Sequence, residues 1–486
     1  MVASTQPHRR QGGSPARLLL AGATMIALAG CAAIPHMAAA PKIEAPADLA
    51  TAQSFAAPTQ DWPQSRWWEA YNDPQLSALI DEALKNSPTL AQAEARLRSA
   101  SAQADVQRAA GLPQISASAK VLESEQSRNL GFPPQFAAYL PKGFKDYGRA
   151  SLDASYDLDL FGKNRAALAA AVSEAAASRA DAAQSRLTLS AAVAQAYGDL
   201  ARLGAERDAA AQTVSDRRLI GDLVAQRLKN GLDSRAELKQ AQAATPTSQA
   251  ELESLDEQIA IARHKLAALV GAGPDRGLDI TMPKAGAVKA FGLPADLAAN
   301  LIGRRPDIVA ARLRVEEAAK KIAVARAGFY PNISLTASIG QEALGLRYFT
   351  QQASQIGALG PALSLPIFEG GRLRATYRGS RADYDAAVAA YDETLVTALQ
   401  DVADTATSIQ SAQRQLAERR EALAAGEAAY KVARLRFEGG LSTYVAVLSA
   451  EDSVITQRRA LADAEARAFT LDIALVRALG GGFAAA

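Results

Sequence analysis

Apolar and polar residues alternate strictly over four short stretches of this chain. Ile333, Leu335, Ala337 and Ile339 alternate with Asn332, Ser334, Thr336 and Ser338, and Ile115, Ala117, Ala119 and Val121 alternate with Ser116, Ser118 and Lys120. A second stretch follows each: Leu152, Ala154, Tyr156, Leu158 and Leu160 against Asp153, Ser155, Asp157 and Asp159, then Leu363, Leu365 and Ile367 against Ser364 and Pro366. Neighbouring side chains in a strand point to opposite faces, so each stretch predicts a strand with one apolar and one polar face. The strands form hairpins over 113–160 and 331–368, joined by Gly, Pro and aromatic-rich loops at Glu125–Asp146 and Leu344–Gln355. Roughly ten residues, apolar on one side, is what a membrane-spanning β-strand needs. A pair of soluble amphipathic hairpins is the other reading.

The rest of the chain carries helical spacing. Helices are expected over Pro74–Ala110 and Pro306–Ala327, each running on to a proline that stops it, and over a proline-free stretch from Asn164 to Asn230. The last would be about 100 Å long at 1.5 Å per residue. Leu189, Val193, Ala196, Leu200 and Leu203 recur every three or four positions, as do Val388, Tyr391, Leu395, Ala398 and Val402. Such seams pair helices as coiled coils. The long helices end at Asn230-Gly231 and Gly439-Gly440, glycine taking the left-handed cap at no steric cost, and returning helices run to Gly271 and Gly480. Pro246, present only in the first of these, is expected to kink it.

The elements come in the same order twice. Asn86-Ser87-Pro88-Thr89-Leu90 aligns with Arg304-Arg305-Pro306-Asp307-Ile308, Leu112-Pro113 with Tyr330-Pro331, and Arg227 to Leu232 with Arg436 to Leu441. A period of about 210 residues is too long for a solenoid unit and marks a duplicated half-molecule. The expected organisation is a leader over 1–30, an N-terminal segment over 31–70, a first repeat over 71–271, a linker over 272–299 wrapping the helices, a second repeat over 300–480 and a tail over 481–486.

Composition narrows the function. Among 486 residues the net charge is +2 with both signs interspersed, which gives no surface for nucleic acid. There is one cysteine and three histidines, with no GxSxG and no phosphate loop. No catalytic or metal-binding constellation is present in the sequence, and neither an enzyme nor a bound cofactor is expected. Past residue 30 no apolar run is long enough for a transmembrane helix, so any crossing of a bilayer must be made by a closed barrel. The single cysteine ends an apolar run: His8, Arg9, Arg10 and Arg17 precede Leu18 to Leu28, and Leu28-Ala29-Gly30-Cys31 follows. This resembles a bacterial lipoprotein leader, which implies cleavage before Cys31 and a covalent lipid on it. Ala32, where an aspartate tends to retain such proteins at the inner membrane, implies delivery to the outer membrane of a Gram-negative bacterium.

Four strands cannot close a barrel, since single-chain barrels begin at about eight. The chain must then oligomerise, and a trimer would supply twelve strands. The order of Trp67-Trp68-Glu69-Ala70-Tyr71-Asn72-Asp73-Pro74, Arg305-Pro306-Asp307-Ile308, Phe329-Tyr330-Pro331-Asn332-Ile333 and Leu365-Pro366-Ile367-Phe368-Glu369-Gly370-Gly371-Arg372 resembles the TolC/OprM-type outer-membrane factors, in their NodT-like lipoprotein branch. The resemblance covers nearly all of Trp67–Gly480. It implies an α+β membrane protein in which each chain gives four strands to a trimeric twelve-stranded outer-membrane barrel, continued by a coiled-coil helical barrel in the periplasm. It also implies a homotrimeric exit duct for small molecules, joined through a periplasmic adaptor to an inner-membrane transporter of the RND type.

The resemblance implies two sites. The helical tips that meet the adaptor would be Gly231, Leu232, Asp233 and Ser234 in the first half and Gly440, Leu441, Ser442 and Thr443 in the second. The periplasmic gate, where helices past the tip converge on the axis, would place Val445 in a hydrophobic ring. Ser449 stands where an acid commonly sits. Either the acidic ring has moved to Glu451 or Asp452, with Glu237 near the first tip, or the gate carries less charge. Two other functions stay open at this point: a duct for secreted polypeptides, and a lipid-anchored coiled-coil scaffold with no pore.

Overall fold

A computed structural model gives the fold and describes residues 34–45, 48–125, 127, 133, 135, 139, 141–283, 292–295 and 297–484. The leader, Cys31, much of the loop Glu125–Asp146 and residues 284–291 of the linker lie outside them. The chain divides into two compact units, and neither is one of the repeats. One holds residues 100–175 and 314–387 with the N-terminal segment up to residue 41, and the other holds 42–99, 176–313 and 388–486.

Strands β1 (Gln114–Ser124), β2 (Lys145–Asp157), β3 (Asn332–Leu344) and β4 (Gln355–Ser364) make one antiparallel sheet in chain order in the first unit. Its edges are β1 and β4. Pro361 lies on β4, an edge strand of this four-stranded sheet, opposite Leu335 of β3. The second strand of each hairpin stops earlier than the alternation suggests, at Asp157 and Ser364. Leu158 still donates to the Ile333 carbonyl at 3.0 Å, but Asp159 turns to a φ of 45°. The Asp159 carboxylate then accepts from the backbone N–H of Asn164 and Arg165, both at 3.0 Å. That satisfies two of the unpaired donors of the next helix.

The helices repeat in length as well as order. Helix α3 (Lys163–Lys229) and helix α7 (Arg372–Glu438) have 67 residues each, while α4 (Arg235–Leu269) and α8 (Tyr444–Ala478) have 35 each. The segment read as one helix over Pro74–Ala110 is two, α1 (Pro74–Asn86) and α2 (Pro88–Ala110). Pro88 excludes the helical region for the residue before it, and Ser87 is extended at ψ 124°. The second half breaks in the same way at Pro306, between α5 (Leu297–Arg304) and α6 (Pro306–Ala327).

Both seams read from the sequence are packed in the second unit. Val193, Ala196, Leu200 and Leu203 are buried, with Leu189 half-buried, and Val388, Tyr391, Leu395, Ala398 and Val402 are all buried. The Trp-Trp motif supplies the N-terminal edge of this core. Trp67 and Trp68 meet edge to face at 5.7 Å, Tyr71 meets Phe469 of α8 at 5.0 Å, and the Tyr71 hydroxyl donates to Asp472 at 2.5 Å. Asp73 caps α1 by accepting from Gln75 and Leu76, and it also accepts from the Tyr197 hydroxyl at 2.8 Å. Arg305 is the matching anchor of the second half: buried, it donates to Asp307, Asp401 and the Ala478 carbonyl at the end of α8. Burial pulls its guanidinium down, but the two carboxylates more than offset this and hold it above its ordinary value.

Candidate functional site

The register of the sheet carries the two faces across all four strands, with Glu123, Gln341 and Gln355 at the rim of the apolar one. Ala117 lies opposite Leu152, Leu152 opposite Ile339, and Ile339 opposite Gly357. One residue along each strand, Ser118 lies opposite Ser151, Ser151 opposite Gly340, and Asp153 opposite both Ser116 and Ser338. The first face, with Ile115, Val121, Leu335, Leu359 and Leu363, is apolar and well exposed. The second carries its own hydrogen bonds: Ser118 to Ser151 at 3.1 Å, Ser151 to Asp153 at 2.8 Å, and Arg149 to Glu342 at 3.2 Å. So large an apolar patch is unfavourable in water and favourable in hydrocarbon. In lipid, however, the unpaired backbone of β1 and β4 must find further strands. Among the described residues no helix is long and apolar enough to cross a membrane.

The tips sit in the second unit and have the same backbone in both halves. Gly231 and Gly440 take φ of 75° and 72°. Leu232 and Leu441 then donate back to the carbonyls of Arg227 and Arg436 at 2.9 and 2.7 Å, closing a Schellman-type end. This turn leaves Leu232 and Leu441 pointing outward, 65% and 73% exposed. Ser234 starts α4 with a reciprocal capping box, its hydroxyl accepting from the Glu237 N–H while the Glu237 carboxylate accepts from the Ser234 N–H. Thr443 begins α8 without a side-chain cap bond, and the Ser442 hydroxyl is buried without a partner among the described residues.

Two arginines tie the tip region together. Arg227 binds the Asp233 carboxylate with two nitrogens, at 2.9 and 3.1 Å, and donates to the Phe437 carbonyl at the end of α7, lying 4.5 Å over that ring. Asp233 is thus an internal tether. Arg217, further up α3, donates to Glu451 at 2.9 Å, to Asp452 at 3.0 Å and to the Ala244 carbonyl of α4 at 3.3 Å. That last bond falls just before Pro246. Around it the Ala243 and Ala244 carbonyls also accept from the Thr247 and Ser248 hydroxyls, and α4 runs through the proline unbroken.

The four candidate gate positions of α8 divide by face. Val445, Ser449 and Asp452 follow one another at spacings of four and three and are exposed. Glu451 points the other way and is 4% exposed. Its Oε1 and the hydroxyls of Tyr430 and Tyr444 are buried with no hydrogen-bond partner among the described residues. Burial raises the Glu451 carboxyl above its ordinary value and pushes both tyrosines up to about 12, while Arg217 opposes the shift of the acid. Among the described residues no group of three or more acids, histidines or cysteines could hold a metal.

The outer membrane efflux protein model matches the chain at residues 79–272 and again at 297–481. The chain belongs to that family. This efflux channel is 31% identical over 481 residues to the multidrug resistance outer membrane protein MdtP of Shigella flexneri, spanning 97% of each chain. It is 38% identical over 357 residues to the fusaric acid resistance protein FusA of Burkholderia cepacia, covering 73% of this chain and 67% of the relative. The crystal structure of the outer membrane protein VceC of Vibrio cholerae superposes with a TM-score of 0.81 at 40% identity, over 87% of this chain and 100% of that one. The protein is accordingly an outer-membrane efflux channel, and its family is one of transport ducts.

Sequence reasoning missed the arginines of the channel. Arg217 lies mid-helix, and its partners stand 234 and 235 positions away. Arg227 had a local signal: six residues on stands Asp233, where six residues after its repeat partner Arg436 stands Ser442.

Proposed function

We propose that three copies of this chain close a twelve-stranded barrel in the outer membrane and serve as the passive exit duct of a tripartite small-molecule efflux pump. The reading is carried by the in-register division of the sheet: an apolar face for lipid, a hydroxyl and charge-lined face for a water-filled lumen, and two open edges that β1 of one copy and β4 of the next can pair. The MdtP and FusA names, multidrug and fusaric acid resistance, support small organic molecules as cargo. An inner-membrane transporter of the RND type supplies the energy, and a periplasmic adaptor joins it to the tips at Leu232 and Leu441. These two exposed leucines, held out by left-handed glycines, give the adaptor paired apolar knobs beside the Ser234 hydroxyl.

The gate in this proposal is a ring of three Val445 side chains, followed by Ser449 and then Asp452. Asp452 is the carboxylate on the exposed face, so it carries the acidic ring. Glu451 is used internally by Arg217, and Glu237 by its helix cap. Cys31 carries the lipid anchor. Its reach supports this: Ala38 accepts from Arg381 at 3.0 Å, about 14 Å along α7 from where that helix starts beyond β4. Seven extended residues back to Cys31 span about 24 Å.

The test is complementation. A susceptible strain lacking its own outer-membrane channel is given this chain with its cognate adaptor and transporter, and drug susceptibility is measured. Resistance restored by wild type and lost with Leu232→Asp/Leu441→Asp, at equal amounts of inserted trimer, supports the reading. Resistance unchanged by the tip variants removes the assignment of the tips.

A further inference from the structure

The segment between β3 and β4 is a hook folded onto the apolar face of the sheet. Gly148, opposite Val121 and Ala343 on that face, has Leu346 and Phe349 lying over it; a Cβ there would come within 2.7 and 3.1 Å of their side chains. The hook is tied down at several points. The Asp146 carbonyl accepts from Gly345 at 2.5 Å, its carboxylate accepts from the Leu346 N–H at 2.6 Å, and the Ser354 hydroxyl donates to the Tyr348 carbonyl at 2.7 Å. The Gln341 amide, on the same face, is placed to donate to the Phe349 and Ser354 carbonyls. β2 and β3 are the inner strands, so closing a barrel through the edges leaves the hook outside.

The hook lies at the end of the sheet opposite to the ends that lead into helices α3 and α7, hence at the outer rim. There it presents Leu346 and Tyr348, about 40% exposed each, and Arg347, whose guanidinium lies 4.5 Å from the Tyr348 ring. Arg347 has no carboxylate within ion-pair distance among the described residues; of the acids at that rim, Asp146 already accepts from a backbone N–H and Glu123 lies opposite it on β1. An apolar wedge with a cation stacked on an aromatic at its edge matches the boundary between acyl chains and an anionic headgroup.

We propose that this hook is a lipid-binding site, in which Arg347 pairs with a phosphate of a phosphorylated glycolipid of the outer leaflet while Leu346, Tyr348 and Phe349 lie against its acyl chains. A guanidinium offers a planar donor fork to phosphate oxygens that a neutral side chain lacks. The inference rests on the barrel reading above. It differs from a general aromatic belt in requiring the phosphate.

The experiment uses the full-length protein in phosphatidylcholine nanodiscs, with insertion and trimer mass confirmed first, so that a failure of the barrel reading shows there. Phosphorylated lipid A or its dephosphorylated form is added, and the lipid retained per trimer is measured by native mass spectrometry. The wild type is expected to retain the phosphorylated form, Arg347→Ala to retain about tenfold less, the order of one charge-assisted hydrogen bond, and Arg347→Lys to fall between. Equal retention by Arg347→Ala, or of the dephosphorylated lipid by wild type, overturns the proposal. So does full displacement of the lipid by millimolar inorganic phosphate, which would make this a free-phosphate site.

Discussion

Replacing Arg217 by methionine keeps the stem that packs between helices α3, α4 and α8 and removes the charge. Two carboxylates lose their partner, and they should not matter equally. The Asp452 side chain is 68% exposed, so its pair with Arg217 contributes about 0–1 kcal/mol. Glu451, with 6% of its side chain exposed, is left as a buried unpaired acid, and breaking such a pair costs about 3–5 kcal/mol. Arg217→Met is therefore expected to lose about 3–5 kcal/mol, read by guanidinium unfolding of the helical signal. The double variant Arg217→Met/Glu451→Leu should recover most of the loss, since an apolar pair can substitute for a buried ion pair. Losses of the two single variants that simply add, within about 0.5 kcal/mol, would refute the reasoning.

The pH dependence has a definite sign. Burial raises the Glu451 carboxyl above its ordinary value of 4.5, so the folded state holds the proton to higher pH than the unfolded chain does. Stability then falls as pH rises from the ordinary value through the raised one. Arg217 opposes that shift, and removing it widens the window. The deficit of Arg217→Met should be fully present above the raised pKa and should shrink as pH falls towards 4.5. A deficit independent of pH would mean that Glu451 is not the group responsible.

On the sheet, Ile339→Arg puts a charge on the apolar face at a cost of about 2–4 kcal/mol near mid-bilayer, while Ser338→Arg faces the other way. Folding yields into lipid vesicles should fall for the first variant and hold for the second. At the tips, Gly231→Val and Gly440→Val each force a β-branched residue into the left-handed region, at about 1–2 kcal/mol. Resistance in the complementation assay should fall while trimer yield does not. Asp73→Ala removes an N-cap together with the Tyr197 contact and should cost about 1–2 kcal/mol in denaturant unfolding.

What the sequence disclosed was whatever a short period encodes. Alternation from Asn332 to Ile339 placed β3 and its faces correctly, because Ile333, Leu335, Ala337 and Ile339 share one face and the register carries that face across all four strands. The seams of α3 and α7 were legible for the same reason, and the buried seam residues are the ones that the three- and four-residue spacing picked out. Local backbone events were not periodic and were misjudged. Pro88 divides a helix that the pattern joins, and Asp159 takes the left-handed region and stops β2 short of Leu160. Side-chain pairing across hundreds of residues was invisible. The bonds from Arg217 of a distant helix to Glu451 and Asp452, and from the Ser234 N–H to Glu237, have no signature in the sequence pattern. The Trp-Trp and Arg-Pro-Asp motifs carried the resemblance to the family, and in the fold they anchor the chain.

The central claim is that this chain makes a gated pore, and single-channel recording tests it most directly. The lipidated protein would be purified, its mass confirmed as three chains, and its conductance in planar bilayers compared between wild type and Val445→Gly. A small, mostly closed conductance that rises in the variant is the predicted result. A well-inserted trimer that conducts in neither form would contradict the account.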